Sequence, residues 1–205
     1  LVVRRFGGPE VIETEALTLA PPPAGQVRVR HRAVGLNFID VYRRSGLYPT
    51  DLPSGMGTEA AGVVEAVGEG VDGVGVGDRV AYRSGPLGAA ATVRDIAPEH
   101  LIPLPDGVSE AVAAASLLKG MTAAMLIEEI ARIRPGQTVL VHAAAGGVGS
   151  ILVQWLHALG VLTQQRVVAA GGQRLPQRAL RRVQRLVLEA VVGRDAGAAV
   201  AHQPG

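Results

Sequence analysis

Apolar and polar residues alternate most regularly between Gln26 and Val34. Val27, Val29, His31 and Ala33 fall on one side, and Arg28, Arg30 and Arg32 on the other. A period of two predicts a strand with one buried face. Weaker alternation predicts strands over residues 1–6 and Val11–Leu19, separated by a Gly7-Gly8-Pro9 turn and followed by the rigid Pro21-Pro22-Pro23 connector. Further strands are expected within 57–68 and 77–82, and at Ala90–Val93 and His100–Pro103. Short strands with closely spaced turns make residues 1–105 a β-rich, barrel-like unit. From Ser109 the period becomes helical. Ser109 caps a helix to about Leu117, Lys119-Gly120-Met121-Thr122 reads as a link, and Ala123–Arg132 as a second helix. A turn at Arg134-Pro135-Gly136-Gln137 enters Thr138-Val139-Leu140-Val141-His142, predicted to be a buried strand. Small residues and then a helical run, Ile151–Leu159, follow it. The pattern places a domain boundary near residue 119.

The segment Ala143 to Gly149, Ala-Ala-Ala-Gly-Gly-Val-Gly, joins that strand to that helix. Small side chains let main chain approach a pyrophosphate, and free N–H groups at a helix start attract the anion. Against Gly-x-Gly-x-x-Gly, alanine replaces the first glycine. An ordinary packing turn is the competing explanation, and strand before and helix after favour the nucleotide reading. The acidic or basic residue expected about 20 positions on has only Arg166 and Arg174 as candidates, and arginine suits a 2′-phosphate.

Composition narrows the chemistry. Across 205 residues there is no cysteine, so disulfides and thiolate metal sites are excluded. Aromatics make up 3% of the chain, so its core must be aliphatic. The net charge is +2, unevenly placed: residues 161–205 hold seven arginines against Glu189 and Asp195, a local +5, leaving −3 for residues 1–160. That basic segment lacks aromatics, lysines and a known motif, and does not point to nucleic acid. No unbroken apolar run reaches the roughly 18 residues of a membrane span; Ala111–Leu118 comes nearest, between Glu110 and Lys119. With no signal peptide visible, a cytoplasmic protein is expected.

In so aromatic-poor a chain, Gly35 to Pro49 holds Phe38, Tyr42 and Tyr48. Asn37 suits the N-cap of a short helix there, and Gly46 its stop. A small packing nucleus would account for the cluster; so would a binding surface.

Taken together, Gly7-Gly8-Pro9-Glu10-Val11, Val34-Gly35-Leu36-Asn37-Phe38-Ile39-Asp40, Arg44-Ser45-Gly46-Leu47-Tyr48-Pro49, Gly57-Thr58-Glu59-Ala60-Ala61-Gly62, Gly77-Asp78-Arg79-Val80 and the 143–149 turn form a series. From Phe6 to Gly160 the chain resembles the zeta-crystallin-like quinone oxidoreductases of the medium-chain dehydrogenase/reductase superfamily. The resemblance implies an α/β plus β fold: a GroES-like catalytic domain (1–118) followed by a Rossmann NADPH-binding domain that starts at 119–160. It implies hydride transfer from NADPH to a quinone or enone, and a homodimer in the intact family. A zinc-free enoyl reductase of the same superfamily is the nearest alternative. A non-catalytic interaction protein using the basic tail is the alternative from another class.

Carried over by position, Asn37, Phe38, Ile39, Asp40, Val41 and Tyr42 resemble the wall of the nicotinamide pocket. Asn37, Tyr42 and Tyr48 resemble the catalytic and substrate-side groups. Lys119, Thr122, Met125, Gly146, Gly147, Val148 and Gly149 resemble the remaining cofactor contacts. Lys119 is also the chain's only lysine, and a solvated helix end would explain it equally. Met125 stands where the family often has an aromatic. In zinc-dependent relatives a cysteine falls at Asn37 and a histidine at Thr58, so zinc chemistry is not expected. For Glu59 two readings stand level: an ion pair with an arginine such as Arg79 and no part in the reaction, or a catalytic role.

The resemblance is expected to stop at Gly160. Glutamine occurs three times before that point and six times after it. Only a short strand at 166–170 and an arginine-rich helix at 177–192 are expected in an aberrant tail produced by a change of reading frame. A chain cut short there would bind NADPH poorly, turn over slowly if at all, expose strand edges and apolar faces, and associate.

Overall fold

The two longest strands, Val27–Gly35 (β3) and Glu59–Val67 (β5), pair antiparallel along their whole length. They carry the first of two units, Leu1–Leu118. The computed structural model describes residues 1–166. Around the pair lie β1 (Val2–Val3), β2 (Ile12–Glu13), α1 (Phe38–Arg44), β4 (Ser54–Gly55), β6 (Arg79–Tyr82), β7 (Val93–Ile96) and β8 (Ile102–Pro103). The five-stranded sheet has the order β7-β3-β5-β6-β8, and a three-stranded sheet the order β2-β1-β4. The period of two in β3 is realised: Val27 and Val29 are fully buried while Arg30 and Arg32 are exposed. They join Ala60, Val64, Val80, Tyr82, Ala89 and Ile96 in an aliphatic core around one tyrosine. On the polar face of the same strand, the Arg28 guanidinium grips Asp95 of β7 through two 2.8 Å hydrogen bonds, a fork geometry that fixes the pairing of the two strands.

A second cluster is built almost wholly of alanine. Ala61 and Ala81 of the sheet meet Ala113 and Ala114 of α2 (Glu110–Ala124). Small side chains on both surfaces let helix and sheet backbones approach closely. Ser109 accepts the Val112 N–H at the helix start.

The second unit, Lys119–Gly205, contains the end of α2, a π-helical segment at Met125–Ile130, β9 (Thr138–His142), α3 (Gly147–Ala158) and β10 (Leu162–Arg166). Strands β9 and β10 pair in parallel, with Thr138 opposite Leu162 and His142 opposite Arg166. Ile127, Val141, Ala144, Val153, Leu156 and Val161 form its core.

Several expectations change. Strands at 1–6 and Val11–Leu19 shrink to β1 and β2, because a 3-10 turn occupies Pro9–Val11 and the later residues stay exposed. The strand expected at Ala90–Val93 begins at Val93. Lys119–Thr122 is no link: the helix passes straight through, since no proline breaks it and nothing lies within 4 Å of the Cβ position of Gly120. The helix and π segment together, Glu110–Ile130, have the length and mean hydropathy (1.4) of a membrane span, although Lys119 interrupts every apolar run. Part of that apolar surface, Ala113 and Ala114, is covered by the sheet. The strand at Thr138 forms but is not buried throughout, for Leu140 is 54% exposed. The α/β pattern does not stop at Gly160 either. Leu162–Arg166 adds a parallel strand whose Thr-Gln-Gln centre hides it from any apolar-run criterion. The rest of the strand expected at 166–170, and the helix expected at 177–192, lie outside the described residues.

One polar network crosses the sheet. His31 Nδ1 donates to the Ala91 carbonyl (2.7 Å), which leaves Nε2 to accept from the Tyr82 hydroxyl (2.8 Å). The Arg94 guanidinium lies 5.4 Å from the Tyr82 ring centre. Burial pushes His31 below its ordinary 6.5, with the Arg94 charge acting in the same direction against the Ala91 hydrogen bond. The folded state therefore favours neutral His31, and the unfolded chain takes up a proton first as pH falls. This contribution to stability is complete above about pH 7 and is lost as pH drops through 6.5 toward the lowered folded value. Urea unfolding of wild type between about pH 7.5 and 5.5 is expected to show this fall, and His31→Gln to flatten it. Parallel pH profiles for the two proteins would remove His31 as its source.

Candidate nucleotide and substrate site

Helix α1 is short and held at both ends. Asn37 is extended (φ −128°, ψ 150°), and its N–H donates to Asp40 Oδ2 at 3.0 Å, one half of a capping box. Asp40 in the first turn and Arg43 and Arg44 in the last both complement the helix dipole. Gly46, at φ +81°, ends the helix, and its missing side chain makes room for the Phe6 ring, whose nearest atom would lie 2.9 Å from a Cβ.

The exposed side of α1 is aromatic. The rings of Phe38 and Tyr42 meet edge-on at 5.2 Å, and those of Tyr42 and Tyr48 lie tilted at 5.3 Å. Phe38 is 71% exposed and Tyr48 45%. Three rings in series, the outer two exposed and Tyr42 between them half-buried, form a surface that a flat ligand can lie against. Val41 also faces outward and Ile39 is half-buried. Asp40 is buried, and with Arg43 and Thr50 it lines a 20 Å³ cavity behind the helix.

Asn37 points the other way, into the protein. Its Nδ2 donates to Glu59 Oε2 at 2.6 Å, and Glu59 Oε1 accepts the Leu118 N–H at 2.7 Å. Glu59 is fully buried. Arg79, the partner expected for Glu59, pairs with a different acid. It donates to Glu110 at 3.0 Å and to the Val108 carbonyl, and the Arg79 hydrogen bond holds the Glu110 carboxyl below its ordinary range. Reading a lone acid beside a basic neighbour as its partner overlooked where Glu59 sits, in the buried run Gly57–Gly62. An acid inside such a run signals an internal acceptor.

In the second unit, the turn from β9 into α3 is tight. Ala143 is left-handed (φ +50°) and its carbonyl accepts the Gly146 N–H at 2.8 Å. Gly146 is the N-cap of α3, and the N–H groups of the first helical turn, Gly147 to Gly149, have no intrahelical acceptor. A Cβ on Gly149 would stand 2.2 Å from the Ala143 carbonyl oxygen, so only glycine fits. The aliphatic stem of Lys119 lies across Gly147, 2.8 Å from where its Cβ would be. Thus Lys119 and the glycine turn are brought together within this unit. Thr122 lies one turn further along α2, and Met125, 47% exposed, begins the π segment. Val148 is half-buried. The cradle a cofactor needs is present in part: an open helix start, glycine backbone and a lysine stem beside it.

Residues 23–127 match the alcohol dehydrogenase GroES-like domain. The chain belongs to that family. Its nucleotide-fold continuation is matched as well. A quinone oxidoreductase of Escherichia coli crystallised with NADPH superposes with a TM-score of 0.80 at 45% identity, over 88% of this chain and 55% of that one. A Pseudomonas aeruginosa quinone oxidoreductase is 55% identical over 157 residues, 76% of this chain and 48% of that relative. A 2-haloacrylate reductase from a Burkholderia species is 42% identical over 165 residues, 78% of this chain and 50% of its own length. The chain spans about half the length of the curated relatives it matches. As a member of this family it has the α/β plus β architecture: a GroES-like domain followed by part of a Rossmann domain.

The turn geometry predicts opposite effects for two glycines of the second unit. Gly149→Ala forces its Cβ onto the Ala143 carbonyl and is expected to destabilise this unit by about 2 kcal/mol or more. Gly120→Ala, helical with nothing within 4 Å of its Cβ, is expected to stabilise by about 0.5–1 kcal/mol. Urea unfolding followed by circular dichroism measures both, and equal tolerance of the two substitutions would overturn the close-approach account.

Proposed function

We propose that this chain carries the catalytic domain and the opening of the cofactor domain of an NADPH-dependent quinone oxidoreductase, working without zinc in the cytoplasm. The observation that carries the reading is the occurrence, in one chain, of an exposed aromatic strip on a GroES-like domain and of a strand-to-helix turn that admits only glycine at 149 and has Lys119 beside it. When bound, NADPH supplies a hydride. Asn37 and the 38–42 segment would wall the nicotinamide. Phe38, Tyr42 and Tyr48 would seat a planar acceptor, and a Tyr42 or Tyr48 hydroxyl would donate to the oxygen that gains charge. Gly146, Gly147, Val148 and Gly149 would take the pyrophosphate at the start of α3, with Lys119, Thr122 and Met125 beside it.

Donor chemistry supports the zinc-free part. At the two positions where zinc-dependent relatives place thiolate and imidazole, this chain has the amide of Asn37 and the hydroxyl of Thr58, both weak zinc ligands. A quinone is electrophilic without Lewis-acid help, so the remaining task is positioning. Enones and haloacrylate-type activated alkenes need the same hydride and form the second reading, supported by the Burkholderia relative. The homodimer of the intact family is part of the same proposal.

Quinone-dependent oxidation of NADPH, followed by the loss of its near-ultraviolet absorbance with enoyl thioesters and 2-haloacrylate as competing acceptors, tests this. The expected order is quinone first. Tyr42→Phe and Tyr48→Phe are expected to lower the quinone rate, at least one of them by about tenfold or more. Faster reduction of the thioester than of the quinone overturns it and moves the assignment to an enoyl reductase.

A further inference from the structure

We propose that Glu59 is a positioning residue that fixes the Asn37 amide, and through it the entry of helix α1. Three observations in the first unit carry this. Glu59 is fully buried, yet both its oxygens are engaged by N–H donors, Asn37 Nδ2 at 2.6 Å and Leu118 N at 2.7 Å. A carboxylate oxygen only accepts, so it permits one orientation of the Asn37 amide, the one with the NH2 inward. The space around the pair is closed as well. A Cβ on Gly35 would lie 2.3 Å from Glu59 Oε2 and 2.4 Å from the Ala114 carbonyl, so glycine at 35 is what lets strand, carboxylate and helix α2 converge. Asn37 is in turn the N-cap of α1, with its own N–H held by Asp40. One carboxylate therefore sets the start of β5, the cap of the aromatic helix and the part of α2 that belongs to this unit.

The pair makes a prediction that a merely space-filling glutamate does not: reversing its polarity restores it. Glu59→Gln turns an NH2 toward either the Asn37 amide or the Leu118 N–H. Asn37→Asp sets a second carboxylate against the first. In the double variant Asn37→Asp/Glu59→Gln, the carboxylate now at position 37 accepts from the amide NH2 now at position 59. The carbonyl oxygen of that amide still accepts the Leu118 N–H, so both hydrogen bonds return, the first in reversed sense. Each single variant should melt about 5 °C or more below wild type, and the double variant above both. In wild type, the Asn37 side-chain NH2 protons should exchange at least about tenfold more slowly than those of an exposed amide, and Glu59→Gln should abolish that protection. A double variant no more stable than the weaker single, or an Asn37 amide that exchanges freely in wild type, overturns the proposal. Should Glu59→Gln fail to fold, the double variant still decides.

The link to the reaction rests on the quinone reductase reading and is measured separately. Glu59→Gln is expected to lower kcat for quinone reduction about tenfold with KM for NADPH within about twofold. A rise in KM alone refutes the link. A wild-type preference for an enoyl thioester over a quinone counts against the quinone reductase reading, while exchange and swap data judge Glu59 independently.

Discussion

A fully buried carboxylate is costly to keep, and here the N–H donors of Asn37 and Leu118 help hold it in place. Glu59 sits where β5 begins, where α1 is capped and where α2 leaves the first unit, so three elements share one pair of oxygens. Removing the acid would strand an amide and a main-chain N–H in a closed space, which costs more than the two hydrogen bonds contribute. Gly35 follows as a necessity, because the approach that makes the bonds short leaves no volume for a side chain.

The aliphatic composition shapes everything else. With so few aromatics, the sheet core is valine and alanine around Tyr82, and helix α2 docks through alanine on alanine. Such surfaces bring backbones close but bury little area per residue. Polar fasteners set the register instead: the Arg28–Asp95 fork, the Arg79–Glu110 bond, and the His31–Tyr82 contact beneath Arg94. The aromatic residues that could have enlarged the core are instead placed on the outside of α1. An apolar ring left 71% in solvent, as Phe38 is, is a poor use of a rare side chain for folding and a good one for binding.

Patterns of period two and small-residue turns made much of this legible. Strand β3, the Asn37 cap, the Gly46 stop, the Ser109 cap and the β9-to-α3 turn can all be read from local chemistry. What was not legible depended on partners. Strand β10 is polar at its centre and is a strand because β9 offers it a parallel edge. Helix α2 continues through Gly120 because tertiary packing and its good helix formers outweigh one weak residue. Glu59 was paired with the wrong residue, since charge complementarity in sequence says nothing of burial. The network of His31 joins it to residues 51 and 60 positions away, beyond any window.

On the proposed function, the side chains at positions 37 and 58 would change the reaction class of the scaffold. A thiolate and an imidazole would hold a cation that polarises an alcohol. An amide and a hydroxyl cannot do so strongly, and the amide is already committed to Glu59. What such a site can still offer is shape, hydrogen-bond donors and exclusion of water. Those suffice only for an acceptor that is electrophilic by itself. Under the proposed quinone reductase function, the aromatic strip next to the Asn37 cap would favour flat, electron-poor acceptors over alcohols. In that reaction the acceptor's own electronics would make up for the polarising ion that these two side chains are ill-suited to hold.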